Sequence, residues 1–231
     1  MSKAETELKQ ITAEGDGCVD FSAMVFNYGR FHQDRINRLI HIVGIPLIVW
    51  SLANALVFLA HSESVGGTID RLPLFDEPVT PLAIDKYSFM VLATAWLPLT
   101  VAYCIADVGV ALVWCLWSLP AFLSQAYFHS NYSHSDFLGT SQLAFWLWVQ
   151  AAAWIAQFVG HAIFEKRAPA LMSNLGFALL APFFETFLLM HLFAGYKEGP
   201  RLEKVFALID EDIAEYRAAK AARTDDNYKK E

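Results

Sequence analysis

The sequence has little that would suit it to water. Charged residues make up 18% of its 231 positions, hydrophobic ones 55%, and the mean hydropathy is positive. That balance excludes an ordinary soluble domain. Seventeen Lys and Arg face 24 Asp and Glu, a net charge of −7, with no clustered basic stretch to neutralise a phosphate backbone. Nucleic acid is therefore excluded as a partner. Cysteine is scarce: Cys18, Cys104 and Cys115 have no CxxC spacing and two of them lie in apolar blocks, so no disulfide framework is expected. The first 20 residues lack the apolar core of a cleavable secretory leader, which leaves insertion to a later segment. HExxH, Walker, GxSxG and GxGxxG motifs are missing. So are the HxxxH and HxxHH boxes of membrane desaturases and hydroxylases.

What is present is apolar residues in long blocks. A bilayer core of roughly 30 Å is crossed by about 20 apolar residues as a helix, and residues 39–60 form a first block of that length. The next stretch, 61–86, holds five acidic residues, two Gly and three Pro and reads as a loop outside the hydrocarbon. Residues 88–128 are long enough for a tight hairpin of two spans broken at Asp107 and Gly109, with kinks expected at Pro98 and Pro120. Residues 143–164 give a fourth span, in which Trp146, Trp148 and Trp154 partly mark an interface. The last block, 175–193, carries Pro182 and Glu185, and a carboxylate at membrane depth is costly unless paired or functional.

Beyond Pro200, Leu202, Val205, Phe206, Ile209 and Ile213 recur at helical spacing. They define an amphipathic helix packed on the body or lying on the membrane surface. The fold class is all-α: a polytopic helical membrane protein of about four or five hydrophobic helices plus this C-terminal amphipathic helix. Its parts are a polar tail over 1–20, a membrane-embedded domain over 21–199 and the amphipathic helix and tail over 200–231.

Sidedness follows from Lys and Arg. Arg30, Arg35 and Arg38 precede the first span, and Lys166 and Arg167 follow the fourth, so both ends should be cytoplasmic. Five full crossings would put Lys197, Arg201 and Lys204 on the opposite side. The last block or the hairpin is therefore not expected to cross fully.

Six of the seven histidines lie near block ends. Histidine is rare at membrane depth and there faces a cavity or a partner; several of these could equally sit at the headgroup level. Asp34 is a candidate N-cap, with Asn37 and His41 four residues apart on one face beyond it and His32 in the turn before it. A break at Asp34 lets His32 and His41 point at one centre. His161 and Glu165 are also four apart, at the same membrane side. Two or three imidazoles with a carboxylate and open positions suit Fe(II) that must also bind oxygen or substrate, although imidazole suits Zn, Cu and Ni as well. His134, close to Asp136, is a further candidate ligand, with His129 as its alternative. His191 has no partner at ligand spacing and reads as structural. Glu165, Lys166 and Arg167 form either an interfacial charge run that ends the span or, for the two cations, a clamp on a substrate carboxylate.

The segments FHQDRINRLIHIVGIPLIVWSL and QFVGHAIFEKRAPALMSNLGFALLAPFFE resemble the Mpo-like family of 2-hydroxy fatty acid dioxygenases, over a region from about Tyr28 to Glu185. The resemblance implies an endoplasmic-reticulum, multi-pass membrane enzyme that uses Fe(II) and O₂, without 2-oxoglutarate, to convert a 2-hydroxy long-chain fatty acid into the acid one carbon shorter with loss of CO₂. That reaction serves fatty acid α-oxidation, including phytosphingosine and other sphingolipid breakdown. By matching position His32, Asn37, His41, Gly160, His161, Glu165, Arg167, Pro169 and Leu171 carry over, and the middle histidine, His134 or His129, loosely. The resemblance so implies His32, His41, His161 and one of these two as metal ligands, Asn37 and Glu165 as catalytic residues and Arg167 at the substrate, beside Lys166 from the charge run. The acyl tail would lie among the spans, with membrane lipid around it. Two other classes fit the composition alone: a non-catalytic lipid-binding or scaffold protein, and a histidine-ligated haem electron carrier. Oligomeric state has no signature in the sequence.

Overall fold

The computed structural model describes residues 3–13, 21–62, 86–132, 141–172, 175–197 and 199–228, and every regular element among them is helical. The helices are α1 (Lys3–Ala13), α2 (Phe21–Gly29), α3 (Arg35–Ser62), α4 (Lys86–Val91), α5 (Leu97–Ala106), α6 (Val108–Tyr132), α7 (Gln142–Gly160), α8 (Gly176–Ala194) and α9 (Pro200–Tyr228). Four stretches are long and apolar enough to cross a membrane: Arg35–Leu59, Phe89–Ala106, Gln142–Glu165 and Gly176–Ala194. A shorter apolar helix spans Val108–Ser124. Side chains such as Leu112, Leu116, Trp148 and Phe193 are exposed on the outside, the pattern of a bundle whose surroundings are themselves apolar.

Where that is so, burying apolar surface gives helices little reason to associate. Close approach and interhelical hydrogen bonds must do it. The tightest pair is α3 with α7. A Cβ on Gly44 would come 2.0 Å from Gln157 Nε2, and one on Gly160 would come 2.4 Å from Asn37 Oδ1, so any larger residue would have to displace these amides. Ser51 Oγ lies 2.6 Å from the Gln150 amide. Four indoles then tie neighbouring elements by donating to hydroxyls: Trp50 to Ser124, Trp96 to Ser118, Trp114 to Thr100 and Trp117 to Thr186, at 2.7–3.1 Å. Trp146 is fully buried against Trp50 while Trp148 is exposed, so the tryptophans of α7 divide between core and surface.

The expected break at Asp107 is there. Asp107 is extended, its carboxylate accepts the Val110 N–H at 2.8 Å, and α6 starts from that cap. Pro120 lies inside α6. Pro98 instead falls in the first turn of α5, directly after a π-helical turn over Leu92–Trp96, where its missing N–H is tolerated. On α8, Gly195 adopts the left-handed conformation and closes the helix through its N–H to the His191 and Met190 carbonyls.

α9 settles on the body. Leu202, Val205, Leu208, Ile209 and Ile213 are buried, and the helix packs on α1 and α2, each such side chain contributing about 2 kcal/mol where it leaves water. Within the segment expected to be a polar tail, α1 buries Ala4 and Leu8 in the same cluster.

Candidate metal centre

The chain leaves α2 through a tight turn, with the Arg30, Phe31 and His32 N–H groups bonded to the carbonyls of Phe26, Tyr28 and Gly29. It enters α3 at Asp34, whose Oδ1 accepts the N–H groups of Ile36 and Asn37 at 2.8 and 3.2 Å. This N-cap aims His32, ahead of the helix, and His41, within it, at a common point. α7 brings in the third ring, because its last turn widens into a π-helical segment, His161–Glu165, ended by Lys166 in the left-handed conformation.

His32, His41 and His161 are all buried, and their nitrogen ligand atoms lie within 4.8 Å of one another. The ring centroids are 4.6–4.9 Å apart with interplanar angles of 73–88°, so the imidazoles converge without stacking on one another. His32 Nδ1 lies 2.9 Å from the Tyr28 carbonyl and His41 Nδ1 2.8 Å from the Asn37 carbonyl. A carbonyl can only accept, so in both rings Nδ1 carries the proton and Nε2 keeps a lone pair for the shared centre. Among the described residues His161 Nδ1 is buried with no hydrogen-bond partner, an unmet polar atom that a metal or ligand would satisfy. Burial, and then the two neighbouring imidazoles, push His32 well below the usual histidine range, so the ring stays neutral, as ligation requires. This donor set fits a transition metal.

One wall of the site is structural. Glu165 Oε1 accepts the Asp34 N–H at 2.8 Å and Asn37 Nδ2 at 3.2 Å. Since the Asn37 carbonyl holds His41, Glu165 joins the end of α7 to the first turn of α3. The other side opens into an apolar cavity of about 600 Å³ that Tyr28 and the three histidines line together with residues of α3, α5, α7 and α8, among them Ile45, Leu52, Leu99, Trp154 and Phe177. That volume is of the order that holds a small organic ligand. From His41 to Leu56 the α3 wall runs for roughly 22 Å at 1.5 Å per residue.

Residues 18–193 match the family described as 2-hydroxy-palmitic acid dioxygenase Mpo1-like. The chain belongs to this Mpo1-like family. It is similar to the 2-hydroxy-palmitic acid dioxygenase MPO1 of Saccharomyces cerevisiae, 26% identical over 174 residues that cover 75% of this chain and 81% of the yeast protein. No solved structure matches. The Mpo1-like region takes in the whole triad and most of α8, and leaves α9 outside.

The other candidate residues of this Mpo1-like chain are placed as follows. His134 and the side chain of His129 lie outside the described residues. Arg167 turns toward α9: its Nη1 donates to the Arg30 carbonyl and to Asp212, and its guanidinium packs over Phe31 and Tyr216. Lys166 is exposed, and its carbonyl accepts from Lys220. Neither cation lines the cavity. His191 contacts the Tyr196 carbonyl and packs beside Phe187 and Phe206, closing the end of α8.

Sequence reasoning did not find Tyr28, which stacks on His32 at 3.9 Å and 10° and donates to Glu185 at 2.5 Å. The partners are 157 positions apart. The cost of Glu185 in an apolar block was the only signal.

Proposed function

We propose that this chain is a non-haem, Fe(II)-dependent dioxygenase that shortens a 2-hydroxy long-chain fatty acid by one carbon. The observation that carries the reading is the convergence of three buried imidazoles on the wall of an apolar cavity set among membrane-length helices. The yeast relative's name supplies the substrate class. His32, His41 and His161 hold the ion, with His134 or His129 as a further ligand.

The overall reaction is R–CH(OH)–COOH + O₂ → R–COOH + CO₂ + H₂O. The C1–C2 bond breaks, C1 leaves as CO₂, and the substrate supplies all four electrons that O₂ takes up. No 2-oxoglutarate or other reductant enters the balance. Bound Fe(II) would supply the activation of O₂ that spin pairing otherwise makes slow.

The chain's own residues bind and orient. The apolar walls hold the acyl tail and exclude water from the reacting end. The Tyr28 and Asn37 carbonyls fix the tautomers of His32 and His41. Asn37 and Glu165 order the first turn of α3 and hold it to α7. Lys166, exposed at the end of the π-helical turn, attracts the substrate's carboxylate, while Arg167 ties the same turn to α9. A bilayer substrate accounts for the membrane-length helices. The family resemblance supports the endoplasmic-reticulum membrane as the location and fatty acid α-oxidation, including phytosphingosine breakdown, as the role.

The test is direct. Purified protein in detergent, supplied with Fe(II), O₂ and 2-hydroxypalmitate labelled with ¹³C at C1, is expected to yield pentadecanoate and ¹³CO₂ in equal amounts without 2-oxoglutarate. Iron-loaded protein that forms neither product overturns the reading.

A further inference from the structure

His41 and His161 stand on long helical segments, whereas His32 lies on the non-helical connection between α2 and α3. A ligand on a connection must be oriented by groups outside its own element. For His32 those groups belong to Tyr28, whose carbonyl accepts a hydrogen bond from Nδ1–H and whose ring stacks on the imidazole.

Tyr28 is in turn gripped by α8. Its ring stacks on Phe184 at 4.6 Å and 16°, and its hydroxyl donates to Oε1 of the next residue, Glu185, at 2.5 Å. In this pair the phenol hydroxyl is the donor and the carboxyl oxygen the acceptor. Glu185 is 3% exposed, and among the described residues its Oε2 has no hydrogen-bond partner. A half-satisfied carboxyl inside an apolar helix is costly relative to a well-packed hydrocarbon. The packing of α8 gives no reason to carry it, since its neighbours Phe183, Phe184 and Phe187 already fill the core.

We propose that Glu185 is the positioning residue for His32, acting through Tyr28. By holding the phenol hydroxyl it keeps the Tyr28 ring and carbonyl in the arrangement that sets the plane and tautomer of the imidazole. α8 thereby orients a ligand it does not itself carry. This rests on the metal-centre reading of the triad, and it adds a residue and a role that the triad does not contain.

The test uses the full-length, metal-free protein in detergent, titrated with Co(II) alone and followed by its visible absorption bands, beside the thermal midpoint of the metal-free form. Tyr28→Phe keeps stack and carbonyl but loses the hydroxyl, and Glu185→Leu loses the acceptor. Both are expected to weaken Co(II) binding about 10- to 100-fold and to alter its spectrum. The double variant should be no worse than the more impaired single one, because both act through one contact. Glu185→Gln keeps an acceptor and should restore near wild-type affinity.

Wild-type Co(II) affinity and spectrum in Tyr28→Phe and Glu185→Leu overturn the proposal, even if their thermal midpoints fall, since that pattern is a packing role alone. Glu185→Gln as impaired as Glu185→Leu overturns it also, because charge and not the hydrogen bond would then matter. If the wild-type chain binds no Co(II), the metal-centre reading fails and this inference with it. If wild type binds Co(II) and turns over substrate while the variants match it, only the positioning role fails.

Discussion

Two polar knots interrupt the apolar helices, and they are built on opposite principles. Around Asp107 the demand is met from within: the carboxylate caps α6 through Val110, accepts the Tyr196 hydroxyl at 2.8 Å and pairs with Lys197 at 2.5 Å. Around His32, His41 and His161 three imidazole nitrogens lie within 4.8 Å of one another, and among the described residues His161 Nδ1 is buried with no hydrogen-bond partner. A saturated knot fastens the α5–α6 turn to the end of α8. An unsaturated one of similar size is held open by Glu165, Asn37 and Tyr28. Burial of polar groups alone does not separate structure from function; unmet bonding capacity does.

The widest separation between the knots should come from His41→Ala. It is expected to lose bound metal, measured by elemental analysis, and to lower product formation more than about 100-fold, beyond what removing a supporting group costs. Retained metal and turnover would erase the distinction between the knots. Gly160→Ala comes next. Helix propensity favours Ala by about 1 kcal/mol, but the new Cβ meets Asn37 Oδ1 at 2.4 Å, on a side chain already bonded to Glu165, and overpacking of this kind costs about 1–3 kcal/mol. A lower thermal midpoint with at least a tenfold loss of turnover is expected, and an unchanged enzyme would mean that α3 and α7 can separate freely.

Asp107→Ala should do the reverse of His41→Ala. Loss of the cap and of a half-exposed ion pair lowers stability by about 1–2 kcal/mol, with turnover per folded molecule unchanged. Acid separates the knots again in the metal-free protein. The unfolded chain protonates His32 near pH 6.5 while the buried ring resists until well below, so its contribution is present above that pH and is lost as pH falls through this window. At Asp107, burial raises the carboxyl, but Lys197, the Val110 N–H and Tyr196 outweigh it and hold it below the usual range. Its contribution is complete above about pH 4 and disappears only as pH drops through its own lower value. Thermal midpoints of wild type and Asp107→Asn across pH 3–8 should therefore run parallel, with wild type higher, near pH 6 and converge in the acid limb. The smallest effect is expected of Lys166→Ala: a rise in KM of about twofold that salt abolishes, with kcat unchanged.

Features set by local chemistry were legible in the sequence. Block lengths gave the helices, Asp107 gave the break in the hairpin, the Asp34 cap let His32 and His41 point at one centre, and the Lys and Arg asymmetry put His161 on the same membrane side. Contacts between distant elements were not legible. Glu165 reads as a ligand candidate from its spacing to His161, yet its Oε1 serves the backbone at Asp34 and the Asn37 amide. Arg167 reads as a clamp for an anion, and the anion beside it is Asp212 of α9. Tyr28 and Glu185 carry no local signal of each other, because a side-chain pairing across two helices depends on their rotation and register. The spacing of Ala4 and Leu8, one helical turn apart, was the faint trace of α1 in a stretch whose composition is that of a solvated tail.

The walls of the cavity belong to helices of membrane length, and this changes what concentration means for the chain. A substrate that reaches the triad between such helices arrives from a two-dimensional phase, so its encounter rate follows its mole fraction among lipids or detergent. Kinetics measured in micelles should therefore obey surface dilution: adding detergent at fixed total substrate slows turnover, and only a Michaelis constant expressed in mole per cent is transferable to a bilayer.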